Sequence, residues 1–449
     1  MELIITNSTV ITVDGQKNIF APGAIVVKGN IITDLGPEQE VLQRNSDIET
    51  SLDGYGCVVL PGFVSVHNHL GYSIFRGRAE DIGHVAVQKL YVPMSTILTR
   101  EERKILANLS TAELLRGGVT TVLQMEEDAD VTAPFIEQIG MRAQIGIMAH
   151  DIVVDDLNQG QIVFDEAVRD TQLQQSIKFA EHIHNRAEGR LQAVIAANTA
   201  ATSSPQLLRA LRDAADHLKV RLSMHMGIGE AKDIQEVHGA KVFQFCQDNG
   251  FLDEDVIAVH CYMVEKEDID LIAQSGASLA HCPLMNQFRG AIAPVEDMLN
   301  KGIQVGLGID NYFSDHFDVI RSSIAVARIR ANDPKVVQSD EAIARATIDS
   351  ARVMGLDSKI GSLEIGKKAD LQMINTRRFG LTPTNDPIRT LVYHGHAKDI
   401  EMVMVDGQIV VNEGRVVGID ESLLIEEAAQ AGKNAWARFA EHHGGYSAR

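Results

Sequence analysis

Two kinds of hydrophobic spacing alternate along this chain and divide it into a middle and two ends. Between about residues 58 and 355, short Val/Ile/Leu runs are each followed by a longer stretch rich in Ala, Leu, Glu and Arg. The short runs have the length of strands buried on both faces, and the longer ones read as helices. The runs end near Val66, Met125, Met148, Ala197, Met224, Val259, Ala280 and Ile309, which makes eight βα units in series. A series of this kind predicts a parallel sheet, and eight units favour closure into a barrel over an open doubly wound sheet. Gly117-Gly118, Gly140, Gly276 and Gly302, each leading towards a strand, fit that closure.

The ends read differently. Residues 2–13 and 24–35 are β-patterned, and Ile25-Val26-Val27-Lys28 runs through Gly29-Asn30 into Ile31-Ile32, a tight hairpin. Val403-Met404-Val405 and Gln408-Ile409-Val410-Val411 flank Asp406-Gly407, a stronger hairpin signal. Neither end has enough strands for its own core, so the two are expected to pair into one small sheet domain. The expected fold is therefore α/β. A (β/α)8 TIM barrel spans residues 59–360, and a small β-sandwich is formed from both termini, 1–58 plus 361–449. An amphipathic helix over Leu423–Ala440 is grouped with the sandwich.

Composition narrows the function. At 449 residues the chain buries roughly three quarters of its unfolded surface, so a metal is not needed to hold the core and any metal site serves chemistry. Lys+Arg 41 against Asp+Glu 61 gives 41 − 61 = −20, which opposes binding to nucleic acid or an anionic membrane and favours a small-molecule substrate. Cys57, Cys246, Cys261 and Cys282 are scattered, without a CxxC pair, and read as buried thiols in a reducing cytoplasm. The opening Met-Glu-Leu-Ile-Ile-Thr has no export signal, and no apolar run reaches about 18 residues, so a cytoplasmic, non-membrane protein is expected. A Gly-x-Ser-x-Gly elbow and a phosphate-binding loop are absent, and Gly306-Leu307-Gly308 meets Asn311 where a dinucleotide fingerprint needs its third glycine.

The chemistry concentrates at predicted strand ends. His67 and His69 lie two apart after Pro61–Val66, so their imidazoles share one side of a strand. His225, His260 and Asp310 follow three further runs and would reach the same barrel mouth. Imidazoles with a carboxylate suit Zn²⁺ or Fe²⁺ better than Ca²⁺ or Mg²⁺. The fourth run, Leu191–Ala197, carries no lysine to be carboxylated between two ions, so one divalent transition metal is expected, zinc first and iron second.

Several motifs carry a family resemblance. Pro61-Gly62-Phe63 through His69, Arg76-Gly77 with Glu80-Asp81, His281-Cys282-Pro283 with Asn286, Gly306 to Asp310, and Gly361 to Leu371 together resemble the amidohydrolase superfamily, in its branch of cyclic deaminases and triazine hydrolases. The resemblance runs essentially end to end and implies the same barrel and sandwich. It implies that His67, His69, His225 and Asp310 bind the metal and that His260 contacts the attacking water or the substrate. Asp310 would accept the water's proton, and His260 would donate a hydrogen bond to charge developing at the attacked carbon. It also implies a homodimer or higher homo-oligomer.

Two departures shape the substrate expectation. The deaminase branch places a glutamate three residues after the strand-five histidine, where this chain has Ile228. Glu230 could replace it if Gly227 and Gly229 fold the backbone back; otherwise it is a solvated helix-start carboxylate. Ala197-Asn198-Thr199 stands where purine-type deaminases commonly carry a histidine, leaving Asn198 to hydrogen-bond substrate or cap a loop. His281 is expected to touch substrate, orient a neighbour or serve structure, and His84, Tyr91, Gln124, Tyr312 and His316 to line the pocket from loops. Cys261 and Cys282 are expected to be structural thiols.

The leading expectation is a metal-dependent hydrolase attacking an sp² carbon of a small nitrogenous substrate, a triazine-like heterocycle, urea, carbamate or amide, with loss of an amine or similar group. One alternative is a cyclic-amidine deaminase releasing ammonia from a purine- or pyrimidine-type base, with Glu230 as its proton shuttle. The other is a catalytically silent barrel that binds without turnover.

Overall fold

The computed structural model describes residues 2–443. Eight parallel strands run around its middle: β1 (Phe63–Asn68), β2 (Val119–Glu126), β3 (Arg142–Ala149), β4 (Ile195–Thr199), β5 (Leu222–Met226), β6 (Val256–His260), β7 (Ser278–His281) and β8 (Val305–Leu307). Just beyond β8 the ends of the sheet meet. Asp310 N–H donates to His67 O at 3.0 Å and His69 N–H to Asp310 O at 2.8 Å. Every residue of β1, β2 and β3 is buried, because helices cover the outside and side chains fill the interior, which is why these strands read as unbroken apolar runs. A short extra strand, Leu191–Ala193, pairs with β3.

Local signals set the helix ends. Thr99 and Glu102 form a reciprocal capping box before Arg100–Arg116, and Ser204 caps Pro205–Leu218. Gly140 and Gly276 lead to strands by first ending helices in the left-handed region, at φ 89° and 79°.

A separate nine-stranded sheet is built from both ends of the chain. Cys57–Pro61 joins them: it lies parallel to Glu2–Ile11 and antiparallel to Leu371–Asn375. Gly29-Asn30 and Asp406-Gly407 form the turns of the two hairpins read from sequence. Leu3, Ile25, Leu371 and Met404 pack between the sheet's halves as the core of a small sandwich. Helix Glu421–His443 leaves this sheet and packs on the barrel, where Trp436 Nε1–H donates to Ile74 O at 3.0 Å. Its apolar stripe thus covers Arg100–Arg116 rather than the sandwich with which its sequence position groups it.

Sheet and barrel meet at Arg142 on β3. Its guanidinium reaches Asp370 at 2.7 and 2.9 Å and Asp406 at 3.2 Å, and Asp406 N–H donates to Asp370 at 2.8 Å. All four cysteines are unpaired and buried, and no described helix is long and apolar enough to cross a membrane.

Candidate metal centre and cavity

Five side chains from the ends of four strands converge at the barrel mouth. His67 and His69 come from the end of β1, His225 from β5, His260 from β6, and Asp310 from the turn after β8. Asp310 Oδ1 lies 3.4 Å from His67 Nε2 and 3.9 Å from His69 Nε2, and its Oδ2 lies 3.6 Å from His260 Nε2. His67, His69 and His225 form one group of possible ligand atoms within 4.8 Å of one another, and His67, His260 and Asp310 form a second. His260 and Asp310 hold φ of 74° and 76°, in the left-handed region that non-glycine residues seldom occupy. Backbone strain of this kind persists where the fold needs a side chain aimed, here into the mouth.

The hydrogen bonds fix which nitrogens are free. His69 Nδ1 lies 2.8 Å from Met125 O, and His225 Nδ1 lies 2.8 Å from Asn198 O. A carbonyl only accepts, so each Nδ1 carries its proton and each Nε2 a lone pair. Those two Nε2 atoms face each other at 3.0 Å, two acceptors with no proton between them. Nearby, both ring nitrogens of His67 and Oδ2 of Asp310 are buried without a partner. Burial holds the imidazoles neutral: His67 and His225 titrate down at about 3, and His69 and His260 well below their ordinary value. A cation is what this donor set lacks, and neutral imidazoles with one carboxylate fit Zn²⁺ or Fe²⁺.

The centre opens into a cavity of about 540 Å³. Its lining combines apolar side chains, Val85, Val87, Met148, Ile152, Leu157 and Ile162, with the polar groups of Tyr91, His84, Tyr262 and Arg289. A hollow of about 630 Å³ beside it, lined by Arg100, Asp130 and Lys178, gathers no group of three ligating side chains among the described residues.

The sequence-derived residues divide between the cavity and the core. Tyr91, His84, Asn198 and Glu230 line the cavity. Asn198 also orients His225 through its carbonyl. Gln124, His281, Tyr312 and His316 do not line it. Gln124 is fully buried and its Nε2 donates to Thr132 Oγ1 at 2.7 Å, which ties it to the following helix and not to the cavity. His281 is buried, its pKa lowered to about 3 by burial and then by Arg345. His316 stacks on Phe63 at 5.0 Å, and Tyr312 stands behind Tyr91. These four sit at strand ends or loops whose side chains turn inward or away from the mouth. Thiol pKa values of Cys261 and Cys282 are pushed far up by burial, which makes both poor nucleophiles.

Glu230 is buried rather than solvated. Its carboxylate accepts Gly227 N–H and Ile228 N–H, both at 2.7 Å, across a backbone that holds φ of 63° at Gly227 and 115° at Gly229. Those angles favour glycine, and they fold the chain back as the substitution of Glu230 for the absent glutamate requires. Burial raises its pKa, with the backbone donors acting against the shift.

Three polar neighbours escaped the sequence reading. Asn286 Oδ1 lies 3.1 Å from His260 Nδ1 and so fixes that proton. Tyr262 O–H donates to Ile228 O at 2.8 Å and stands 3.2 Å from His84 Nδ1. Arg289 follows the helix that carries Asn286. Asn286 stood in a recognised motif; Tyr262 and Arg289 gave only their closeness to His260 and Asn286 as a signal.

Comparison with known proteins follows the same lines. The profile of the amidohydrolase family matches residues 58–410. A 5-methylthioadenosine/S-adenosylhomocysteine deaminase from Symbiobacterium thermophilum is 31% identical over 421 residues, covering 92% of this chain and 94% of that protein. Among solved structures, an adenosine deaminase from Xanthomonas campestris with bound zinc superposes with a TM-score of 0.88 at 22% identity, over 97% of this chain and 98% of that one. An atrazine chlorohydrolase from Arthrobacter aurescens complexed with zinc gives 0.85 at 21% identity, over 96% and 100%.

Proposed function

The chain belongs to the amidohydrolase family, metal-dependent enzymes acting on carbon–nitrogen bonds, and we propose that it is a deaminase of cyclic amidines: it replaces the exocyclic amine of a purine- or pyrimidine-type ring by oxygen and releases ammonia. Family membership sets the silent-barrel alternative aside. It also reverses the order expected from sequence, where triazine-like, urea and carbamate substrates came first. The relative that shares 31% of its residues is a deaminase, whereas likeness to the atrazine enzyme at 21% speaks for the fold. The observation that carries the reading is Glu230, whose buried carboxylate lines the cavity two residues beyond the position at which the family keeps its glutamate.

In this reading His67, His69, His225 and Asp310 hold one zinc or iron ion. When bound, such an ion supplies the Lewis acidity that makes water a nucleophile near neutral pH. Asp310 Oδ2, without a partner, accepts a proton from the attacking water. With its Nδ1 proton committed to Asn286, neutral His260 meets that water as an acceptor; it donates to developing charge only after taking up a proton, a narrower role than the sequence suggests. Glu230, its pKa raised by burial, protonates the ring nitrogen beside the attacked carbon and later helps the amine depart as ammonia. Asn198, His84 and Tyr91 position the ring. Residues 59–360 would form the catalytic unit and 1–58 with 361–449 its support. Assembly as a homodimer or higher homo-oligomer, checked by sedimentation, is part of the same proposal.

The test is Glu230→Gln assayed for ammonia release from aminopurines, aminopyrimidines and aminotriazines. Activity should fall about 10²–10⁴-fold with the metal retained. Undiminished ammonia release would exclude Glu230 as the shuttle, and absence of ammonia from every ring with the unaltered protein would exclude the deaminase reading.

A further inference from the structure

Arg289 is the only lysine or arginine among the described residues that line the cavity. The four arginines that are fully buried elsewhere each meet a carboxylate: Arg103 with Asp128, Arg142 with Asp370, Arg212 with Asp255, and Arg345 with Glu296. Arg289, only partly exposed, forms no ion pair of this kind; its side-chain partners are the neutral phenols of Tyr91 and Tyr262. Two phenol oxygens cannot fill a fork of five N–H donors, which leaves donors for oxygen acceptors brought by a ligand.

Its surroundings say where those acceptors would come from. Arg289 ends the turn after Pro283–Phe288, and its backbone N–H is held by Met285 O and Asn286 O, so its main chain is anchored beside His260's partner. Tyr91 and Tyr262 flank it on the cavity wall, and Asn311 Nδ2 lies 3.4 Å from Tyr91 OH. Burial works against its charge, and Asp310, Tyr262 and Tyr91 more than offset that, so the guanidinium stays protonated. Arg289 lines the same cavity as His69, His225, His260 and Asp310, which places it in the chamber where the reaction occurs. A guanidinium sharing this cavity with a bound dication would be repelled by it, and an electron-rich ligand oxygen would offset that repulsion.

We propose that Arg289, with Tyr91 and Tyr262, is a specificity clamp for an oxo group carried by the same ring that loses its amine, so that the substrate is an oxo-substituted aminoheterocycle rather than a plain adenine. A ring oxygen next to a ring nitrogen offers two acceptors in one plane, which matches the guanidinium fork, as arginine matches the O6 and N7 edge of guanine. Adenine offers isolated ring nitrogens and leaves the fork unfilled. The inference rests on the deaminase reading, but its binding arm can be tested apart from turnover.

Two readouts on the full chain test it. With zinc loaded, ammonia release is compared for adenosine and isoguanosine, which adds only a 2-oxo group to the same ring. In metal-free protein, calorimetry compares xanthosine, which has no amine to lose, with purine riboside, which has no oxo group. The oxo member should be preferred by at least about tenfold in both. Arg289→Met should bring both ratios near one, and Arg289→Lys, which keeps the charge but loses the fork, should leave them between. A preference for adenosine, or ratios untouched in Arg289→Met, would overturn the clamp. So would a variant that instead erases a preference for S-adenosylhomocysteine over methylthioadenosine, because the anionic oxygens would then be those of the tail carboxylate. If no ring releases ammonia, the deaminase reading fails, and the xanthosine titration alone still decides the clamp.

Discussion

The barrel has a buried polar centre at each end, and the two are built on opposite terms. At the end facing the terminal sheet, Arg142 meets Asp370 in a two-pronged pair and also reaches Asp406, whose charge Lys368 shares at 3.2 Å. At the mouth, three imidazoles and a carboxylate crowd together with lone pairs facing lone pairs and buried atoms unpartnered. The first centre is complete within the chain and serves architecture. The second is incomplete, and in a folded protein that many unmet acceptors mark a place where a ligand finishes the structure.

The contrast can be broken from either side. The largest effect should come from His67→Ala, which removes a ligand from the incomplete centre: metal content should fall well below one ion per chain and the rate by about 10³-fold or more, while thermal unfolding of the metal-free protein changes little. Arg142→Met should do the reverse. Leaving Asp370 and Asp406 without their cation should cost about 3–5 kcal/mol in denaturant unfolding, yet the fraction still folded should bind its metal in full. An Arg142→Met protein that loses metal but keeps its stability would erase the distinction.

A smaller effect tests the support around the mouth. Asn286→Ala frees the His260 tautomer and should lower kcat by about 10–100-fold, with a displaced acid limb of the pH profile that a general loss of packing would not produce. The smallest effect is on pH. His67 and His225 are held near 3 against an ordinary 6.5, so the unfolded chain takes up protons there that the folded chain does not. Stability of the metal-free protein should therefore be fully present above pH 6.5 and decline as pH falls towards 3, seen as a falling Tm. A Tm flat across that window would mean that these imidazoles are not buried neutral.

What could be read from sequence follows the range of the physics involved. The eight runs ending near Val66 through Ile309, and the turns at Gly29-Asn30 and Asp406-Gly407, are local patterns, and the structure has each of them. His67 and His69 announce themselves by strand spacing, and His225, His260 and Asp310 by following strands. Which strand-end side chains face the mouth depends on how the barrel closes, and for that reason Gln124 and His281 were misplaced. Glu230 hinged on the left-handed angles of Gly227 and Gly229, which sequence allows but does not dictate. Arg289 and Tyr262 lie on connections whose course depends on the whole mouth, so closeness in sequence to Asn286 and His260 is the one local sign of them.

The most direct measurement is X-ray absorption at the metal edge of the purified, loaded protein. One zinc or iron ion per chain, ligated only by nitrogen and oxygen at about 2.0–2.2 Å with imidazole scattering, is the expected result. Sulfur at about 2.3 Å, which would move the ion towards Cys261 or Cys282, or a second metal scatterer would contradict it.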